Sequence, residues 1–306
     1  MARDPGKQAH WAAVQMQAHG ESRADTRDDP GRQSSIGTSN TYEAALRQLA
    51  EHLRDERAGD LRSVTVEQAR EWLDQRATEV SQSTLDRDRQ AVQAWLSHRQ
   101  GERVEIPRSE HQSQVPGRGL AEQSRVYTPD QLDRVQERMA EHNALAVQVA
   151  REAGIRAQEA ATIARPEDRP ATERDWREDR GAGRADTVSY TVQGKGGLVR
   201  EVQISRETAD RLEAMRRDQP VTVTDRSAHL TSYYQVGYGQ SLSQAFSAAS
   251  QRELGWSVGL HGARHVYAQT RMEQLQQQGY AYDQAREVVA QEVGHFREQT
   301  TEAYLR

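Results

Sequence analysis

The run from Leu260 to Arg306, LHGARHVYAQTRMEQLQQQGYAYDQAREVVAQEVGHFREQTTEAYLR, constrains the fold more than any other stretch of the chain. His261, Arg264 and His265 open it, Gly294-His295 follows, and Thr300-Thr301 precede Tyr304, which stands nine residues after His295. A separation of 31 residues between Arg264 and His295 accommodates a helix pair. Two histidines four apart on a helix face invite a metal ion. No H-E-x-x-H glutamate accompanies them, and an arginine lies between them, which is hostile to a cation.

Two further segments precede this run. Arg151–Ile163 reads REAGIRAQEAATI and places Arg156 three residues before Glu159, as an ordinary helix pair or as a carboxylate orienting the guanidinium. Val192–Ile204 reads VQGKGGLVREVQI, in which Thr187–Val192 and Val199–Ile204 flank Gly194-Lys195-Gly196-Gly197, a hairpin signal. The glycines do not form a P-loop, because the G-x-x-x-x-G-K-[ST] order is missing.

Taken in order, these pieces resemble the active-site boxes of the tyrosine recombinases, the phage-integrase family. They are G-[LI]-R-x-x-E-[AL], a hairpin with a lysine in its turn, H-x-x-R-H, G-H and a terminal tyrosine. The resemblance covers roughly Tyr127 to Arg306 and fills the family's six catalytic positions with Arg156, Lys195, His261, Arg264, His295 and Tyr304. It implies a mainly α fold with a small antiparallel β-sheet, in which a helical core-binding (SAM-like) domain precedes the catalytic domain. Beside compact members of that family, the 31-residue separation between Arg264 and His295 is long and implies an insertion around Gln276–Asp283.

The chemistry implied is cleavage and rejoining of DNA without a metal or nucleotide cofactor. Tyr304 would attack phosphorus to give a 3′-phosphotyrosyl linkage. A phenol titrates near 10, so neighbouring cations or a base must help it ionise. Arg156 and Arg264 would hold the two non-bridging oxygens with paired donors. Lys195 would protonate the leaving 5′-oxygen, His261 and His295 would contact the phosphate, and His265 has a structural role. Only Leu305 and Arg306 follow Tyr304, where many relatives extend a C-terminal tail, so either coupling between protomers uses another surface or assembly is weak.

Composition bears on this in two places. The absence of cysteine excludes disulfides and thiolate chemistry and suits a reducing compartment. A net charge of −5 counts mildly against a nucleic-acid partner, but the 41 basic residues are nearly all arginine, whose planar fork suits phosphate. No apolar run is long enough for a membrane span, and MARDPGKQAH lacks an apolar signal core, which suits a cytoplasmic protein; the resemblance implies a bacterial, nucleoid-associated one.

Along the chain, residues 1–39 are rich in Asp, Arg, Gly, Ser and Gln and read as a disordered lead-in with at most a short helix at His10–His19. Residues 40–100 read as a compact helical domain, by pattern alone any small helical bundle, which the resemblance makes the core-type DNA-binding domain. Tyr42, Leu46, Leu49 and Leu53 recur at helical spacing, Thr65-Val66-Glu67-Gln68 is a capping box, and Leu85, Val92, Trp95 and Leu96 share a later helix face. Residues 101–125 read as a linker between that domain and the catalytic domain, 126–306. Thr128-Pro129-Asp130 starts a helix, Gly154 ends one, and Arg165–Arg184 is a polar insertion.

The partners expected are double-stranded DNA recombination sites, a homotetramer in the synapse and accessory DNA-bending proteins, with strand exchange through a Holliday junction for a bacterial mobile element. A type IB topoisomerase-like nicking-closing enzyme is the alternative of the same chemistry. A catalytically silent DNA-binding regulator is the alternative of another class.

Overall fold

A computed structural model describes residues 4–18, 28–33, 35–115, 126–226, 228–295, 302 and 304–305. The chain divides into two compact units, Met1–Glu122 and Gln123–Arg306. It is mainly helical, with two small antiparallel sheets among the described residues.

The first unit is built from α1 (Pro5–Gln15), α2 (Ile36–Asp55), α3 (Val66–Ala77) and α4 (Gln82–Gln100). The capping box at Thr65 forms as the sequence indicates, with the Thr65 hydroxyl accepting from the Gln68 amide and the Gln68 side chain accepting from the Thr65 amide. Leu46, Leu49, Leu53, Trp72, Leu73, Leu85, Val92, Trp95 and Leu96 fill one core. One of its two tryptophans is oriented by a hydrogen bond from Trp95 Nε1 to the Leu61 carbonyl at 2.7 Å.

Two expectations fail in this unit. The lead-in is not featureless, since α1 is capped by Asp4, starts with Pro5 and buries Ala9, Ala12 and Met16 in the same core. Its apolar face is mostly alanine, which carries too little hydropathy for periodicity to register, but which lets α1 pack closely on α2. The linker also begins later than expected. Val104 and Ile106 belong to the core, and the Arg89 guanidinium and the Gln93 side chain hold the Ile106 backbone at 2.7 and 3.0 Å. Residues 116–125 lie outside the described residues.

The second unit starts with α5 (Pro129–Glu137), opened by a capping box on Thr128, and α6 (Glu141–Ala153). A 3-10 turn at Glu159–Thr162 leads into a loop and then the hairpin of β1 (Thr187–Gln193) and β2 (Val199–Ser205). Their register runs from Thr187 opposite Ser205 to Gln193 opposite Val199, so the turn between them carries Lys195. Next come α7 (Arg206–Ala214), β3 (Arg216–Asp225), β4 (Ala228–Tyr234), α8 (Gly239–Leu254), α9 (His261–Gln277) and α10 (Tyr282–Glu292). Among these, α7 and the β3–β4 ribbon are not foreshadowed by the sequence pattern. The ribbon packs through β4 on the 3-10 turn that follows Arg156.

The polar stretch Arg165–Arg184 forms no helix or strand, yet it is stitched to its surroundings. Thr172 donates to the Val199 carbonyl at 2.9 Å, Arg177 N–H to Gln291 at 2.8 Å, and Gly181 N–H to Glu292 at 2.8 Å. Among the described residues, no separate element stands around Gln276–Asp283, where an insertion is expected. That segment is the tight turn between α9 and α10, closed by Gly279 at φ +93°, and the 31-residue separation is filled by the helices themselves. The two helices bury Ala268, Met272, Leu275, Ala285, Val288 and Val289 against each other, and Tyr304 completes this cluster.

Candidate active site

The site is assembled by two chain reversals and one helix start. Gly154 ends α6 at φ +59°, where a Cβ would stand 2.5 Å from the Tyr267 ring, so only glycine lets the chain turn there into Arg156. Gly294, at φ +74°, ends α10 in the same way and leaves His295 N–H on the Ala290 carbonyl at 2.7 Å. The first turn of α9 carries His261, Arg264 and His265, and spacings of three and four put them on one face.

Glu159 is the hub. It is 2% exposed, and it accepts the Arg156 amide at 2.8 Å, Arg156 Nη1 at 2.7 Å and Arg200 Nη2 at 2.8 Å, with Arg264 Nη1 at 3.9 Å. Burial alone would raise its pKa, but the three guanidinium groups, Arg200 foremost, hold the carboxyl well below the usual range. Glu159 is therefore a buried ion-pair centre rather than a solvent-facing helix pair. A Cβ on Gly194 would sit 3.2 Å from Glu159 Oε1, so the start of the Lys195 turn abuts this hub.

Arg264 is 1% exposed and donates to the Gly154 and Val293 carbonyls, locking the two glycine reversals together. Burial, reinforced by neighbouring Arg156, draws its pKa down to about 10, so it stays a cation at neutral pH. The Arg156 side chain is 36% exposed and reaches the same place from the open side. Both arginines meet at His295 Nε2, with Nη2 of Arg156 at 3.2 Å and Nη2 of Arg264 at 3.3 Å. Guanidinium groups only donate, so Nε2 accepts and the ring carries its proton on Nδ1. Burial first, and the charges of Arg264, Arg156 and Arg200 second, push the His295 pKa down to about 3.

Tyr304 is 7% exposed in the middle of this group. Its ring centroid lies 5.2 Å from His261, 4.8 Å from His265 and 5.4 Å from His295, and the Arg264 guanidinium carbon is 5.3 Å from it. His261 is exposed and His265 buried. Five of the six residues singled out by the sequence, Arg156, His261, Arg264, His295 and Tyr304, thus lie together. The backbone of Lys195 lies in the β1–β2 turn, while its side chain, Thr300 and Thr301 lie outside the described residues. Sequence reasoning passed over Arg200, one arginine among many. Its burial and its partners appear only when β2 is laid beside the Glu159 turn.

No protein-family model matches the chain, and no curated protein matches it by sequence. Solved structures do. XerH site-specific recombinase bound to palindromic difH substrate, in a post-cleavage complex, is 14% identical over 99% of this chain and 90% of that one, with a TM-score of 0.58. A lambda integrase tetramer bound to a Holliday junction is 13% identical over 90% and 73% of the two chains, with a TM-score of 0.55. The Tn1549 transposon integrase in complex with a circular intermediate DNA is 13% identical over 98% and 95%, with a TM-score of 0.54. The chain has the fold of the tyrosine recombinases.

Proposed function

We propose that this protein is a site-specific DNA recombinase that cleaves and rejoins duplex DNA through a covalent bond to Tyr304. The observation that carries the reading is the convergence of Arg156 and Arg264 on one point beside the Tyr304 ring. Two planar cations aimed at one position suit the non-bridging oxygens of a phosphodiester and the extra charge they gain in a pentacoordinate transition state.

A phosphate entering from the open side meets Arg156 and His261 first, with Arg264 fixed behind them. It displaces His295 Nε2 from the two guanidinium groups, and His295 then turns the Nδ1–H it already carries to the phosphate. The Tyr304 oxygen attacks phosphorus as its proton is lost to a neighbouring base. The P–O bond to the 5′-oxygen breaks, and that oxygen takes a proton from Lys195. The 3′-phosphotyrosyl bond retains the energy for rejoining, so no nucleotide cofactor is required. Attack by an incoming 5′-hydroxyl reverses the sequence and frees Tyr304.

The helical first unit supplies further DNA contacts in this reading, and strand exchange proceeds through a Holliday junction in a homotetramer for a mobile element. The resemblance of the fold to recombinases solved on difH substrate, on a Holliday junction and on a transposon circular intermediate supports this.

Covalent trapping tests the proposal. The protein is incubated with supercoiled plasmid and with nicked duplexes from candidate recombination sites, then run on denaturing gels beside Tyr304→Phe. A protein–DNA adduct that is lost in Tyr304→Phe is the expected result. Binding without any adduct would make the protein a silent DNA-binding regulator instead. Relaxation of any plasmid by the monomer, without need for two sites, would favour the nicking-closing alternative.

A further inference from the structure

We propose that Arg200 is a positioning residue for the phosphate-binding arginines, an inference that rests on the reading of the site given above. Arg200 lies on β2, five residues beyond Lys195, and is 1% exposed. Its Nη2 donates to Glu159 Oε2 at 2.8 Å, and its Nε donates to the Glu292 carbonyl at 3.0 Å. Gly294 packs on its aliphatic stem, where a Cβ would stand 3.2 Å from Arg200 Cδ. One guanidinium therefore ties together the hairpin that carries Lys195, the turn that carries Arg156 and the helix end that carries His295.

The electrostatic consequence is as important as the mechanical one. Glu159 is a buried carboxylate among three cations that already holds Arg156 Nη1 on Oε1 at 2.7 Å, and left to itself it would draw Arg264 onto Oε2 as well. Arg200 occupies Oε2, and Arg264 remains 3.9 Å away, beyond hydrogen-bond distance. Arg200 thereby neutralises the carboxylate that orients Arg156, leaving the paired arginines aimed at the point now held by His295 Nε2. Without Arg200, Glu159 collapses onto the clamp and misplaces it, and a shift of about 1 Å at a reacting centre costs roughly 10²-fold in rate.

Single-turnover adduct formation and DNA affinity are measured for the full chain and for Arg200→Met, Arg200→Lys, Glu159→Gln and the double variant Arg200→Met/Glu159→Gln. Arg200→Met should form adduct about 10²-fold more slowly at saturating DNA, with its affinity for DNA unchanged. Arg200→Lys, which keeps a cation beside Glu159, should recover most of the loss. The double variant should be no slower than the slower single variant, because the two residues act as one unit. A wild-type rate in folded Arg200→Met, or losses that multiply in the double variant, would overturn the inference. Should Arg200→Met not fold, the double variant, which removes both buried charges, is compared with Glu159→Gln. Equal rates support the inference, and a much slower double variant refutes it. Failure of the wild type itself to form adduct would overturn the reading of the site, and this inference with it.

Discussion

Replacing Glu159 by glutamine tests whether the buried ion-pair hub holds the second unit together. The substitution keeps the shape and removes the charge, leaving Arg200 and Arg264, each 1% exposed, without their carboxylate. One oxygen of the new amide can still accept, but its NH₂ group faces guanidinium or backbone donors now satisfied by Oε1 or Oε2. Breaking a buried pair from one side costs about 3–5 kcal/mol. For a unit of this size each kcal/mol lowers Tm by roughly 2–4 °C, which gives a fall of about 6–20 °C at pH 7. Because the Glu159 pKa is lower in the folded than in the unfolded state, its contribution is complete above the unfolded value and is lost as pH falls through the range below it. Between an unfolded carboxyl pKa of about 4.3 and pH 3, the gap between wild type and variant should therefore close by roughly 1.8 kcal/mol, or about 4–7 °C. Calorimetry of both proteins from pH 7 to pH 3 measures this. Equal Tm values at pH 7, or a gap that does not narrow on acidification, would refute the view of Glu159 as an ionised hub.

Other expected outcomes bear on separate parts of the structure. His295 should titrate with an apparent pKa near 3 and show the Nδ1–H tautomer by nitrogen NMR; an Nε2–H ring, or a pKa near 6.5, would contradict its place between the arginines. Gly154→Ala meets the Tyr267 ring at a left-handed position, so it should lose about 2–5 kcal/mol of stability from backbone strain and overpacking, read by denaturant unfolding. Met16→Ala should destabilise the first unit by about 2–5 kcal/mol if α1 belongs to its core, and protection from hydrogen exchange in α2 and α4 should fall with it.

The sequence was most legible where local rules and tertiary structure agree. The capping boxes at Thr65 and Thr128, the C′ glycine at 154 and the glycine-rich hairpin each place an element because the backbone chemistry is local. Ordered polar motifs likewise marked five residues that the fold brings together. What was hidden depends on partners distant in sequence. In α1 the apolar face is alanine, so its helix is visible only by what it packs on. Pro220 and the charged start of β3 mask a strand whose pairing is irregular between Arg216 and Val221. Arg200 looks like any other arginine until Glu159 and the Glu292 carbonyl close around it.

The central claim is that Tyr304 forms the covalent bond to DNA. The most direct measurement is mass spectrometry of the trapped adduct after nuclease and protease digestion, together with end-labelling of the released strand. The account predicts a nucleotide attached through its 3′-phosphate to the peptide containing Tyr304, and a free 5′-hydroxyl on the other strand end. Attachment at another residue, a 5′-phosphate linkage, or the same adduct from Tyr304→Phe would contradict it.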